Sequence, residues 1–173
     1  MKKNKSILAL VTGGTFDKEY DMITGKLFFK DTHLSEIFKR GRATLDIKVR
    51  TLMMVDSLEM TDLDRDIIIK HCQSTEEQQI LITHGTDTME VTAAAIAKAG
   101  KIEGKTIVLL GAMIPYTFGM SSDGFFNLGS AIAFVQTLPP GVYIAMHGEY
   151  FNWDNVRKNR STGYFETTKD KKN

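Results

Sequence analysis

Residues 79–100 read QILITHGTDTMEVTAAAIAKAG, and this stretch decides the fold. Gln79–Thr83 is a short apolar run without polar alternation, the pattern of a strand covered on both faces. From Thr86 to Ala99 the period changes. Met89, Ala93, Ile96 and Ala97 recur near helical spacing, and Gly100 is placed to end the helix. A strand that runs through a polar loop into a helix is half of a βαβ unit. The same alternation extends to both sides. Strands are expected at Ile7–Thr12, Asp46–Met54, Thr106–Gly111 and Val142–His147, with helices at Leu34–Arg40, Asp62–Gln73 and Gly124–Gln136. The fold class is therefore α/β with a mostly parallel sheet. Tyr20–Lys30 stands apart, because Asp21–Gly25 offers turn residues before Leu27, Phe28 and Phe29, which suits a β-hairpin or flap. Pro139-Pro140-Gly141 ends one helix and launches the next strand.

Bulk properties narrow the function. The chain has 173 residues, the size of one domain, and residues 1–173 are read as a single domain. Apolar residues make up 42% and charged residues 25%, as in ordinary globular proteins. Lys plus Arg is 22 and Asp plus Glu is 21, so the net charge is 22 − 21 = +1. That balance supplies no field for a polyanion or an anionic membrane, and neither nucleic acid nor membrane is expected as a partner. Cys72 is the only cysteine, which rules out an intrachain disulfide and a multi-thiolate metal site. Apolar runs such as Ile107–Leu110 fall far short of the ~20 residues that span a bilayer. Met1–Ser6 is basic, but Ile7–Val11 is too short for the apolar region of a secretory signal, so a cytoplasmic protein is expected. The sequon Asn159-Arg-Ser161 then carries no meaning. The polar tail Lys169–Asn173 is expected to fray.

Chemistry is expected where the strands end, because ligands of open α/β sheets bind beyond their carboxyl ends. The loops there are Thr12-Gly-Gly-Thr15, Val55–Met60, His84–Thr88, Gly111–Pro115 and His147–Glu149, with Arg157-Lys158 shortly beyond. Ser, Thr, Asp and Gly also favour turns and caps for their own sake. Thr86 could cap its helix and Asp87 be satisfied by the helix dipole. What exceeds local structure is the convergence of several such loops on one edge. Gly13 and Gly14 let the backbone turn tightly and approach a small ligand, and Thr15 follows with N–H groups able to receive an oxyanion. A threonine hydroxyl needs a base to become a nucleophile. Lysine can serve where burial or a nearby cation lowers its pKa, with a carboxylate to orient it. Spacing alone does not pick the lysine.

Taken in order, Thr12-Gly-Gly-Thr15, Asp56-Ser57, Ile82-Thr-His-Gly-Thr-Asp-Thr-Met89, Gly111-Ala-Met113, Ser121-Ser-Asp-Gly124 and Asn127-Leu128 resemble the N-terminal domain of the bacterial-type L-asparaginase/glutaminase family. The resemblance runs from about Ile7 to Phe165 and implies a three-layer α/β/α domain without metal or organic cofactor. It implies hydrolysis of the side-chain amide of L-asparagine, with L-glutamine as second candidate, through a threonine acyl-enzyme. Carried over by position, Thr15 matches the nucleophile. Thr86 and Lys158 match the threonine and lysine that assist proton transfer. Asp87 matches the acid that orients them and meets the substrate α-amino group. Ser57 matches the residue that holds the α-carboxylate, and Tyr20 lies in the segment of the mobile lid. Gly14 and Gly85 complete the expected substrate-binding set.

The sequence also departs from the family pattern. Family chains are about twice as long and carry a smaller C-terminal domain, expected here to be absent, which in the family closes a neighbouring subunit's site. Ile114 stands where arginine is common, and Leu58 where a polar contact is often found. Three outcomes stay open: an active amidase closed by homo-oligomerisation, an aspartate- or asparagine-binding domain of weak or no activity, or one piece of an enzyme that needs a partner chain. Other motifs weigh less. Gly100-Lys-Ile-Glu-Gly104-Lys105-Thr106 is one residue short of a P-loop and precedes a strand. Asp62, Asp64 and Asp66 lack the glycine and glutamate of a calcium loop and read as a helix start. His33, His71, His84 and His147 lack metal-ligand spacing, and His84 reads as support for its own loop. Phe125-Phe126, Tyr150-Phe151 and Trp153 read as core or interface, with no basic patch beside them.

Overall fold

A computed structural model describes residues 6–168; the terminal tail Lys169–Asn173 lies outside the described residues. The strand β1 (Ile7–Gly13) is buried along its whole length. It pairs in parallel with β4 (Ile47–Val55) on one side and β5 (Gln79–Thr83) on the other. Two further parallel strands, β6 (Thr106–Leu110) and β7 (Gly141–Met146), extend the sheet. A last strand, β8 (Glu149–Asn152), runs antiparallel to β7 and completes the six-stranded order β4-β1-β5-β6-β7-β8.

Because side chains alternate across a strand, β1 sends Ile7, Ala9 and Val11 into one core and Leu8 and Leu10 into the other. The first core is covered by α1 (Leu34–Arg40) and α4 (Gly124–Thr137), through Leu34, Ile37, Leu128, Ala131 and Val135. The second is covered by α2 (Asp62–Ser74) and α3 (Met89–Ala99), through Ile68, Cys72, Ala93 and Ile96. The architecture is a three-layer α/β/α sandwich, as expected. The expected hairpin is present and begins two residues before Tyr20: β2 (Lys18–Asp21) pairs with β3 (Lys26–Phe29). No helix of the described residues is long and apolar enough to cross a membrane.

Local sequence explains most boundaries. Thr61 and Asp64 form a reciprocal capping box that starts α2, so the acidic run is a helix start. Gly100, at φ 67, ends α3. The P-loop look-alike is structural: the Lys105 ammonium donates to the carbonyls of Thr75 and Glu77 at 2.6 and 3.0 Å. One boundary needs correction. The helix after β5 begins at Met89, not Thr86, since Thr86–Thr88 form a turn and no side chain caps the helix. β8 and a second small hairpin, β9 (Arg157–Lys158) with β10 (Phe165–Glu166), went unread. They have four, two and two residues, too few for a periodic signal. The aromatic set divides. Phe151 is buried and Trp153 packs on its core, whereas Phe125, Phe126 and Tyr150 are exposed.

Candidate active site

The site is built where β1, β4 and β5 end side by side. Gly13 and Gly14 both take positive φ, 99 and 76°, conformations that L side chains rarely adopt. The turn they make presses three loops together: a Cβ on Gly14 would stand 2.3 Å from the Gly85 nitrogen, and one on Gly85 would stand 2.5 Å from the Ser57 hydroxyl. Thr15 follows as the first residue of a short 3-10 turn, Thr15–Asp17, and is half-buried. Ser57 is buried behind Gly85. Thr88 ties the two loops together by donating its hydroxyl to the Ser57 carbonyl at 2.8 Å.

On the other side of this edge the hairpin β9–β10 delivers the lysine that spacing could not select. Lys158 Nζ donates to the Thr86 hydroxyl at 2.8 Å and to Asp87 Oδ1 at 2.9 Å. Its side chain is only 8% exposed, so the ion pair with Asp87 works in a partly desolvated setting. The alternative reading of Thr86 as a cap is thereby overturned, because its hydroxyl is engaged by Lys158 and α3 starts further on. Arg160, which sequence reasoning missed, adds a second cation: it donates to the Asp87 carbonyl at 3.0 Å and approaches Oδ1 at 3.4 Å. Among the described residues, no backbone carbonyl accepts from the N–H groups of Thr15, Thr86 or Asp87.

Of the expected site residues, Thr15, Gly14, Gly85, Ser57, Thr86, Asp87 and Lys158 thus line one edge of the sheet. Tyr20 sits on the β2–β3 hairpin, 53% exposed, with its ring edge-on to Phe118. No hydrogen bond joins it to Thr15 or Lys158 among the described residues. The hairpin is tied down where the Thr117 hydroxyl donates to the Lys18 carbonyl at 3.2 Å, and Lys18 pairs with Asp56 at 2.5 Å beside Ser57. Leu58 points outward, 67% exposed. The N–H groups of Met113 and Ile114 both donate to Asp123, which also accepts from Asn127. These two belong to the Ser121–Leu128 run, whose role as a brace for the Gly111 loop no spacing rule reveals. Among the described residues, no group of three His, Cys, Asp or Glu side chains could hold a metal ion.

Two buried titratable groups support the loops. Asp17 accepts from the Thr32 hydroxyl at 3.0 Å and from the His33 N–H, yet burial pushes its carboxyl up to about 6. Burial likewise pushes the His84 imidazole down to about 4, although Nδ1 lies 2.7 Å from the Gly85 carbonyl and Nε2 lies 2.8 Å from the Thr92 hydroxyl. The histidine does support its loop. The folded Asp17 holds a proton that the unfolded chain releases above about 3.8, so its contribution to stability is lost as pH rises from 3.8 to about 6. The folded His84 refuses a proton that the unfolded chain takes up below 6.5, so its contribution is lost as pH falls from 6.5 to about 4. Between about 4 and 6 the two cancel, each shift being worth about 3 kcal/mol. Asp17→Asn should unmask the histidine, steepening the loss of unfolding free energy on acidification across that window. Urea melts at several pH values measure this, and a variant whose pH profile parallels the wild type contradicts it.

Comparison with known proteins follows the same lines. The N-terminal domain of the asparaginase family (described as "Asparaginase, N-terminal") matches residues 6–170. A probable periplasmic L-asparaginase of Haemophilus influenzae is 30% identical, with 91% of this chain and 47% of the relative covered. One subunit of the glutamyl-tRNA(Gln) amidotransferase of Methanococcus vannielii is 34% identical, with coverages of 84% and 35%. The solved structure of a probable cytoplasmic L-asparaginase from Campylobacter jejuni superposes with a TM-score of 0.80 at 29% identity, covering 94% of this chain and 53% of that one. The chain spans about half the length, or less, of the curated relatives it matches.

Proposed function

The chain belongs to the asparaginase family, matching its N-terminal domain, and on that premise we propose that it hydrolyses the side-chain amide of L-asparagine through an ester on Thr15. The observation that carries this reading is Lys158, held largely away from water on both the Thr86 hydroxyl and the Asp87 carboxylate from more than seventy residues away. A structural ion pair has no need of the threonine; a proton path does.

The steps follow from these placements. The Thr15 hydroxyl attacks the amide carbon, and its proton passes by way of Thr86 and Lys158 to the leaving nitrogen. The C–N bond breaks, ammonia leaves, and an aspartyl ester remains on Thr15. Water then adds to the ester carbon, its proton returns to the Thr15 oxygen, and aspartate departs. The backbone N–H groups of Thr15, Thr86 and Asp87, which no backbone carbonyl of the described residues engages, supply donors for the oxyanion of each step. Ser57 meets the substrate α-carboxylate and Asp87 its α-ammonium, while Gly14 and Gly85 keep the floor thin enough for close approach. Tyr20 closes the site from the hairpin β2–β3. No step calls for a metal or organic cofactor.

L-Glutamine is the second candidate substrate. The reading includes a homo-oligomer, since an open sheet edge leaves the reacting groups wet and weakens electrostatic catalysis. It also includes a cytoplasmic location, where a free, buried thiol such as Cys72 has no disulfide partner to find. The test is ammonia release from L-asparagine and L-glutamine by the wild type and Thr15→Ala, with folding checked by circular dichroism. Release that disappears in the variant supports the proposal. No release from either amide by a folded chain overturns it in favour of a binding domain, which a thermal shift with L-aspartate reveals, or of one piece of an enzyme that a partner chain completes.

A further inference from the structure

The hairpin that carries Lys158 is short of internal support. β9 and β10 contribute two residues each, and Phe165 is the register partner of Lys158. A side chain from the end of β7 reaches this hairpin: the Phe165 N–H donates to His147 Nε2 at 3.2 Å. The His147 ring packs against Tyr164 and Phe165, with centroids 4.9 and 6.0 Å away. His147 itself takes φ 60°, a conformation that Gly or Asn adopts more easily. Its own N–H donates to Asn127 Oδ1 at 3.0 Å, and Asn127 also donates to the Gly111 carbonyl. One histidine therefore joins α4, the end of β7 and the strand opposite Lys158.

We propose that His147 is a positioning residue for Lys158: its neutral Nε2 fastens the β9–β10 hairpin to the end of β7, and protonation of the ring unfastens it. The inference rests on the reading of Lys158 as proton carrier. An imidazole nitrogen accepts a hydrogen bond only while it lacks a proton, so the fastening form carries its hydrogen on Nδ1. The imidazolium has two donors and no acceptor, and the Phe165 N–H then faces another N–H. The charged groups that face the ring are Asp123, from the loop before α4, and Glu149, from β8; both favour the charged form. Burial opposes them and is the larger influence, holding the ring below the ordinary histidine value. The remaining wall of the adjoining cavity, Met113, Ile114, Thr162 and Gly163 with the Tyr164 ring, brings no charge. The fastener is thus closed at neutral pH and opens on acidification.

Two variants separate this role from plain packing. In His147→Gln the amide oxygen reaches the place of Nε2 and accepts at every pH; in His147→Leu nothing accepts. The first readout is the protection of the Phe165 amide against hydrogen exchange, corrected for the intrinsic rate, near pH 8 and near pH 5. Wild-type protection should fall about tenfold on acidification, the order of one backbone hydrogen bond. The Gln variant should stay protected and the Leu variant should be unprotected at both pH values. The second readout is ammonia release. The Leu variant should lose kcat about tenfold with KM for L-asparagine little changed, and the Gln variant should keep its activity and lose the wild type's acid limb. A Gln variant with the wild-type pH dependence, or a Leu variant with a protected Phe165 amide, overturns the proposal. Exchange that follows the prediction in a chain that releases no ammonia refutes the hydrolase reading and leaves the fastener standing.

Discussion

Lys158→Met should cut ammonia release from L-asparagine by about a thousandfold while leaving the chain folded. Methionine keeps the apolar stem of lysine but removes the ammonium, the only group among the described residues that touches both the Thr86 hydroxyl and Asp87 Oδ1. Asp87 is not orphaned, because Arg160 still donates to its carbonyl and lies 3.4 Å from its carboxylate. The loss should therefore fall on the rate and not on the fold. Lys158→Arg should be nearly as inactive, since a guanidinium holds its proton at any accessible pH and cannot relay one. Steady-state kinetics beside a thermal melt would measure both. A Lys158→Met chain that melts normally and works within tenfold of the wild type would remove the lysine from the proton path.

The second large effect concerns the floor of the site. Gly14→Ala should lower unfolding free energy by about 3 kcal/mol or more and abolish activity, for two reasons that add. At φ 76° an alanine is strained whatever the space, and its Cβ would stand 2.3 Å from the Gly85 backbone nitrogen, an atom that cannot rotate away. Relief requires the Thr15 and Thr86 loops to part, which separates the nucleophile from the proton path. Gly129→Ala is the matched control. Gly129 lies inside α4 with nothing within 4 Å of a new Cβ, so helix propensity alone should stabilise that variant by up to about 1 kcal/mol. Chemical denaturation of both variants gives the two signs. A Gly14→Ala chain as stable as the wild type would mean that the two loops are not packed as described.

The contrast between what the sequence revealed and what it withheld has a physical basis. Burial on both faces makes β1, β5, β6 and β7 nearly continuous apolar runs, and the helices between them keep their own period, so the layered fold was legible. The glycine loops were legible too, because few residues other than glycine fit where Gly14 meets Gly85. Lys158 was different. Its partners lie more than seventy residues earlier in the chain, and a two-residue strand leaves no period to read, so resemblance pointed to it where spacing could not. The start of α3 was misplaced for a related reason. Thr86 and Asp87 have the chemistry of a helix start, and only their distant partner shows that they serve something else. Arg160 and His147 were hidden in the same way, since a surface arginine and a lone histidine look alike in any loop.

The central claim is that Thr15 carries the acyl group, and the direct measurement is to trap it. The wild-type chain, mixed with L-asparagine and quenched in acid within the first turnovers, is digested and its peptides are weighed. The account predicts one aspartyl group, less the elements of water, on the peptide that contains Thr15, absent from Thr15→Ala and removed by mild alkali as an ester should be. Ammonia release with no such adduct at any quench time, or with the adduct on another peptide, would contradict it.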